Sequence, residues 1–268
     1  MFLSENGNYT CSVILPLYKP RGNWVELFLQ NVEEINTHLP SNISIQYVVV
    51  HDGAPGRGII KGFHKISASL KNISFISYPE NMGKGFALRK GLKTIDTDFT
   101  LITDFDFPYK KIHIPELIKL LQEGHEIVVG KRSRSYFQNL PFKRKIISRL
   151  CILMKKIFLN LPMYDTQSGI KAFNSTGKKV FLETTINRFL ADTEFILRSH
   201  KKQLSIKEID LELEPYVQFS NFGLNVIKTE LGNFLKLVYL NLKLKRTTGR
   251  QHKRLGSAQY NCDMITAA

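Results

Sequence analysis

Cysteine is scarce: Cys11, Cys151 and Cys262 are the only three, and none lies in a CxxC spacing. So odd and scattered a set supports neither a disulfide framework nor a zinc site, and a reducing compartment is expected. No apolar run reaches the roughly 18 residues of a bilayer-spanning helix, and the first residues lack the basic and apolar blocks of a secretory leader. The expected location is therefore cytoplasmic, soluble or peripheral on the cytoplasmic face of a membrane. Acidic residues are also few, with 23 Asp and Glu against 38 Lys and Arg, a formal net charge of +15. Such an excess implies anionic company: nucleic acid, an anionic membrane surface or phosphorylated ligands. Zinc-finger spacing and RNP1-like aromatic patterns are absent, and aromatics do not interleave with the basic clusters, which argues against nucleic acid.

What is present is an ordinary globular composition, 43% hydrophobic and 23% charged over 268 residues. That is enough for a sizeable core in one large domain or two small ones. Cys11 to Leu17 reads as a buried strand stopped by Pro16 and Pro20. Trp24, Leu27, Phe28, Val32 and Ile35 recur at helical spacing, and Ile43 to Val50 is a β-branched strand. Strand, helix, strand opens a βαβ unit. Gly62 to Leu70 extends the series as a helix, Ile73 to Tyr78 as a strand, and Asn81 to Leu92 as a glycine-rich helix start.

The next strand carries the chemistry. Thr100 to Tyr109, TLITDFDFPY, ends in Asp104 and Asp106 with Phe105 between them. Alternate side chains of a strand share a face, so both carboxylates emerge together. Hard cations such as Mg2+ or Mn2+ are commonly held by one or two carboxylates plus substrate phosphates. The second strand, Ile43 to Val50, runs into Asp52 before Gly53, at the end where open α/β sheets bind ligands. Gly83 and Gly85, with Lys84 between them and Arg89 and Lys90 after, read either as a phosphate-binding helix start or as a plain glycine-rich one.

The segments SVILPLY, VVVHDG, NMGKGFALRKG, TDFDFPY, VVGKRSRS, DTQSGIKAF and FLADTEF, in that order from Ser12 onward, resemble the inverting glycosyltransferases of family 2. Within that family the chain is most similar to the polyprenyl-phosphate (dolichyl-phosphate type) hexosyltransferases. The resemblance implies an α/β GT-A (nucleotide-diphospho-sugar transferase) fold, a mixed, mostly parallel sheet flanked by helices with an amphipathic C-terminal helix. It implies a metal-dependent enzyme moving a hexose from a nucleotide-diphosphate sugar to a polyprenyl phosphate, or alternatively to a glycan hydroxyl. Pro16, Tyr18, Asp52, Lys84, Asp104 and Gln167 would bind the nucleotide or donor, with Asp165 and Ser168 near the sugar. Asp104 and Asp106 would hold Mg2+ or Mn2+, Asp106 and Asp192 would be catalytic, and Glu194 would support Asp192. Arg132, Arg144 and Ser148 would receive the acceptor phosphate. Where several relatives have an Asn-Glu pair after the tyrosine this chain has Lys19 and Pro20, and His51 replaces a frequent aspartate.

Downstream, Ile114 to Glu123 is expected as a helix and Glu126 to Val129 as a strand. Leu140 to Pro162 carries Ile146, Ile147, Leu150, Leu153, Met154, Ile157 and Phe158 at helical spacing among lysines and arginines, a pattern of membrane-surface helices. DTQSGIKAF reads as a polar turn, Phe189 to Ile196 as a helix, and Leu204 to Leu213 as an antiparallel edge strand. Leu224 to Lys245 is a second basic amphipathic helix, with Ile227, Leu231, Phe234, Leu235, Val238 and Leu242 as its stripe. The expected division is a catalytic domain over 1–223, then the helix and a disordered tail over 224–268. A sugar-nucleotide pyrophosphorylase is the other enzyme class considered, but its N-terminal glycine, arginine and lysine signature is missing.

Overall fold

A computed structural model describes residues 7–132, 152–161, 165–166, 168–215 and 228–244. Arg144, Ser148, Gln167, the segment 216–227 and the chain after 244 lie outside the described residues.

Seven strands form one sheet: β1 (Tyr9–Leu17), β2 (Ile43–His51), β3 (Ile73–Ser77), β4 (Phe99–Ile102), β5 (Ile127–Arg132), β6 (Lys171–Asn174) and β7 (Ile206–Leu211). Their spatial order is β3-β2-β1-β4-β6-β5-β7. β1 pairs in parallel with β2 and β4, β2 with β3, and β5 with β7, while β6 runs antiparallel to both β4 and β5. Nearly continuous burial along Cys11–Leu15 and Tyr47–His51 is what a strand covered on both faces requires.

Helices cover both faces. α1 (Trp24–His38), α2 (Arg57–Ser69) and α4 (His113–Gln122) enclose one core layer with Val25, Phe28, Ile35, Ile66, Leu117 and Ile118. The other layer lies under α3 (Lys84–Leu92), α5 (residues 152–159), α6 (Ser175–Leu182), α7 (Ala191–Lys201) and α8 (residues 228–244). It contains Leu88, Leu159, Phe181, Phe195, Phe234 and Leu237.

Two expectations about the later strands need correcting. Leu204 to Leu213 supplies an edge strand, but β7 is parallel to β5; alternation of burial marks a half-covered strand and carries no information on direction. DTQSGIKAF is not only a turn, because its last residues are β6, in the interior of the sheet. α6 follows directly, capped by Asn174, whose side chain accepts from Thr176 N at 3.0 Å and Gly177 N at 3.2 Å.

Register gathers the strand ends. Leu17 lies opposite His51, Ile14 opposite Ile102, and Ile102 opposite Lys171. The carboxyl ends of β1, β2 and β4 and the amino end of β6 therefore meet on one edge of the sheet.

Candidate active site

The acidic end of β4 is set by the aromatic residues between and after its carboxylates. Phe105 stacks on Phe28, centroids 5.1 Å apart at 12°, and tilts against Trp24 at 5.7 Å. Phe107 takes a left-handed φ of 43° and donates its N–H to Asp104 O at 3.0 Å, with its ring buried in the same layer. The rings anchor the turn in the α1 layer. Asp104 stays partly exposed, its side chain at 41%. Asp106 opens to solvent, yet the walls of the cleft remove enough water to raise its pKa, and the charge of Asp104 raises it further. Two carboxylates crowded in this way favour a cation between or beside them.

Lys84, the first residue of α3, reaches Asp104 Oδ1 at 2.6 Å and lies 4.0 Å from Asp192 Oδ2. Burial alone would lower its pKa, but Asp104 and Asp192 outweigh it and hold the ammonium above the usual lysine range. Asp192, in the first turn of α7, is held from its other side by Lys171, 3.1 Å from Oδ1. Lys171 is fully buried and also donates to Ser168 O at 2.8 Å. Its burial pulls the pKa down, against the attraction of Asp192. Lys171 lies inside DTQSGIKAF, and the motif alone assigns it no role. The available signal was a lone lysine among Ile170, Ala172 and Phe173, which demands a buried acid as partner.

Asp52 is 4% exposed, and its carboxylate accepts from Tyr78 Oη (2.8 Å), Asn81 Nδ2 (2.9 Å), Met82 N (2.7 Å) and Gly83 N (2.9 Å). It thereby fixes the entry to α3 and the position of Lys84. The two glycines flanking Lys84 serve close approach. A Cβ on Gly83, at φ 98°, would stand 2.6 Å from Asn187 O, and one on Gly85 would stand 2.5 Å from Ile186 O. Phe86 N bonds to Asn187 O at 3.1 Å. Arg89 donates to Thr184 Oγ1 at 3.1 Å, to Ile186 O at 2.8 Å and to the side chain of Asn187. The start of α3 is thus closed down on the 184–191 loop, and Arg89 and the Met82, Gly83 and Phe86 N–H groups are engaged by the protein. Glu194, fully buried, holds that loop by accepting from Thr185 N and Ile186 N, both at 2.8 Å, and from Arg198 Nε at 2.8 Å.

Arg132, at the end of β5, forms a fork with Asp165: Nε to Oδ2 at 2.7 Å and Nη2 to Oδ1 at 2.6 Å, with its backbone N–H adding 3.0 Å. Burial would raise Asp165, but the arginine's hydrogen bonds and charge hold its pKa below the usual carboxylate range. Lys155 of α5, 4% exposed, donates to Thr166 Oγ1 at 3.1 Å, so this cation faces inward and not toward a membrane. Tyr109 Oη accepts from Gly169 N at 3.2 Å, tying this loop to the turn after β4. Ser168 is fully buried. Pro16 is half-buried near the end of β1, and Tyr18 just beyond is 51% exposed with Lys19 Nζ 5.2 Å from its ring centroid.

The structure therefore unites Lys84, Asp104, Asp106 and Asp192 around one cleft, with Asp52 and Glu194 behind it and Arg132 paired to Asp165 at its side. Among the described residues no group of three or more His, Cys, Asp and Glu could hold a metal ion alone. The donors fit a hard cation that takes one or two carboxylates from the protein and the rest from phosphates.

The family model described as "Glycosyl transferase family 2" matches residues 12–186. A dolichol-phosphate mannosyltransferase from Pyrococcus furiosus is 29% identical over 178 residues, 66% of this chain and 48% of that protein. A dolichyl-phosphate β-glucosyltransferase from Trichomonas vaginalis is 26% identical over 212 residues, 75% of this chain and 64% of that protein. The chain thus spans about half to two thirds of the length of these relatives. The crystal structure of glucosyl-3-phosphoglycerate synthase from Mycobacterium tuberculosis, in complex with Mn2+, UDP and glucosyl-3-phosphoglycerate, superposes with a TM-score of 0.55 at 17% identity, over 87% of this chain and 78% of that one. Its likeness shows the shared GT-A architecture. With the family model covering well over half of its length, the chain belongs to glycosyl transferase family 2.

Proposed function

We propose that this protein is an inverting hexosyltransferase that moves a sugar from a nucleotide-diphosphate donor to a polyprenyl-phosphate acceptor at a membrane surface. The observation that carries the reading is the carboxylate pair after β4, whose Asp104 lies 2.6 Å from Lys84, itself 4.0 Å from Asp192. Asp106 would hold a Mg2+ or Mn2+ ion with Asp104 beside it. The ion, when bound, neutralises charge on the departing diphosphate. Lys84, beside Asp104, would add a second positive charge to that leaving group. Tyr18 and Pro16 border the region where the nucleotide would lie, and Asp52 acts through the 78–83 loop that it holds.

The acceptor follows from charge and from two relatives named for dolichol or dolichyl phosphate. A phosphate monoester is already ionised near pH 7, so attack needs no general base. Asp192, fixed by Lys171, then orients the sugar. Arg144 and Ser148 remain the proposed phosphate contacts, with Arg132 shaping the adjoining loop through Asp165.

Membrane docking is supported by α5 and α8. Phe158 meets Phe234 edge to face at 6.0 Å, and Asn241 Nδ2 donates to Phe158 O at 3.0 Å. Phe234 and Leu237 face the core, while Leu153, Ile157, Leu231, Leu235, Tyr239 and Leu242 are at least half exposed. The stripe expected on α8 is thus split between two faces. Exposed Lys156, Lys228 and Lys236 accompany the outer one. Such a surface suits shallow insertion beside anionic headgroups. Among the described residues no helix is long and apolar enough to cross a membrane.

The test supplies radiolabelled UDP- and GDP-hexoses with polyprenyl phosphate in micelles and MnCl2. Label passing into the organic phase is expected. Label appearing only in a water-soluble glycan, or no transfer from either donor, would contradict the assignment.

A further inference from the structure

The charges in the cleft are unevenly tethered. Lys171 is fixed, since it is fully buried and bonded to a backbone carbonyl as well as to Asp192. Among the described residues the Lys84 ammonium pairs with carboxylates alone, 2.6 Å from Asp104 Oδ1 and 4.0 Å from Asp192 Oδ2, and its side chain is 15% exposed. It sits at the first turn of α3 on a flexible four-carbon stem. The oxygens of Asp104 are not equivalent either. Oδ2 faces the backbone of Gly169, where an added Cβ would lie 2.5 Å away. Oδ1 is the oxygen that Lys84 already holds.

We propose that Lys84 is the resident counter-cation of this cleft and that it makes divalent-cation binding conditional on the nucleotide. The inference rests on the metal and nucleotide-sugar reading above. A divalent ion taking Asp104 Oδ1 must share it with an ammonium, and two positive charges at that separation repel in a site only partly open to water. A nucleoside diphosphate changes the balance. Its oxygens accept from Lys84 and ligate the ion together, so the lysine can leave Asp104 without losing a partner. Coupling of this kind is reciprocal: the ion must tighten the nucleotide by the same factor by which the nucleotide tightens the ion. The empty cleft keeps its charge partly balanced, and the ion arrives with the donor.

The experiment measures free Mn2+ by electron paramagnetic resonance during MnCl2 titration of the full chain, alone and with saturating UDP or GDP. Wild-type protein should bind Mn2+ weakly alone and at least about tenfold more tightly with one of the diphosphates. Lys84→Met should bind Mn2+ alone about tenfold more tightly than wild type and lose most of the coupling. Lys84→Arg, which keeps the charge, should behave as wild type. Lys84→Gln supplies a second neutral side chain should the methionine variant not melt like a folded protein. If the neutral variants bind Mn2+ alone no more tightly than wild type, or keep the full coupling, this inference is overturned while the metal site stands. If wild-type protein binds no Mn2+ even with diphosphate, both fail.

Discussion

The ammonium of Lys171 lies 3.1 Å from Asp192 Oδ1, with the two side chains 0% and 7% exposed. Breaking such a pair leaves an uncompensated buried charge, which typically costs about 3–5 kcal/mol. Lys171→Met should therefore lower the stability of the protein by about that amount and abolish transfer. Adding Asp192→Leu should restore most of the stability and none of the activity. Denaturant unfolding of the single and double variants, set against transfer rates, checks both halves.

Asp106 behaves in the opposite sense. Its carboxyl is raised in pKa by the cleft and by Asp104, so in the empty protein the charge is a burden. Asp106→Asn should melt at the same temperature as wild type or slightly above it, while donor cleavage falls by at least about a hundredfold, as expected for a group that acts on transition-state charge. A variant that unfolds, or one that turns over normally, would contradict this account of Asp106.

Gly85 tests why glycine stands at the start of α3. An alanine Cβ would lie 2.4 Å from Ala191 Cβ and 2.5 Å from Ile186 O, and neither backbone can retreat freely. Gly85→Ala should cost about 1–3 kcal/mol, as overpacking does, in protein free of nucleotide. A glycine needed only for phosphate approach would show no such loss in the absence of ligand. Thermal unfolding without nucleotide decides between the two.

Asp165 gives the pH dependence. Its folded-state pKa is depressed by Arg132, so the stability it contributes is complete above the unfolded aspartate value of about 3.9 and is lost as pH falls through the lower folded value. Asp165→Asn should be less stable than wild type at pH 7, by about 1–3 kcal/mol, because it removes the charged acceptor of the Arg132 fork. The gap should narrow below about pH 3.9, as wild-type Asp165 takes up its proton. Chemical unfolding at pH 7 and at acid pH measures the difference.

The alternation of strand and helix from Cys11 to Thr103 was legible because both faces of the sheet demand apolar residues, and that pattern is written in the chain. So was the acidic pair after β4, although β4 ends at Ile102 and Asp104 and Asp106 lie in the turn beyond it rather than on one strand face, so alternation was not what brought them together. β6 escaped for physical reasons: it is four residues long and begins with a charged residue whose partner, Asp192, is distant in sequence. The direction of β7 escaped because burial periodicity is the same for parallel and antiparallel edges. Likewise, the meaning of Gly83 and Gly85 lay in a loop a hundred residues away, which sequence spacing does not reveal. The pairing of Arg132 with Asp165 joins residues 33 apart in sequence, which spacing likewise does not reveal.

The most direct measurement is anomalous diffraction at the manganese edge from crystals soaked with MnCl2 and a nucleoside diphosphate. The account predicts a peak in the cleft bounded by Asp104, Asp106 and Lys84, within about 2–2.5 Å of an Asp106 oxygen and of the diphosphate. A peak bound elsewhere on the protein, or a diphosphate seated away from the end of β4 with no ion at Asp106, would contradict it.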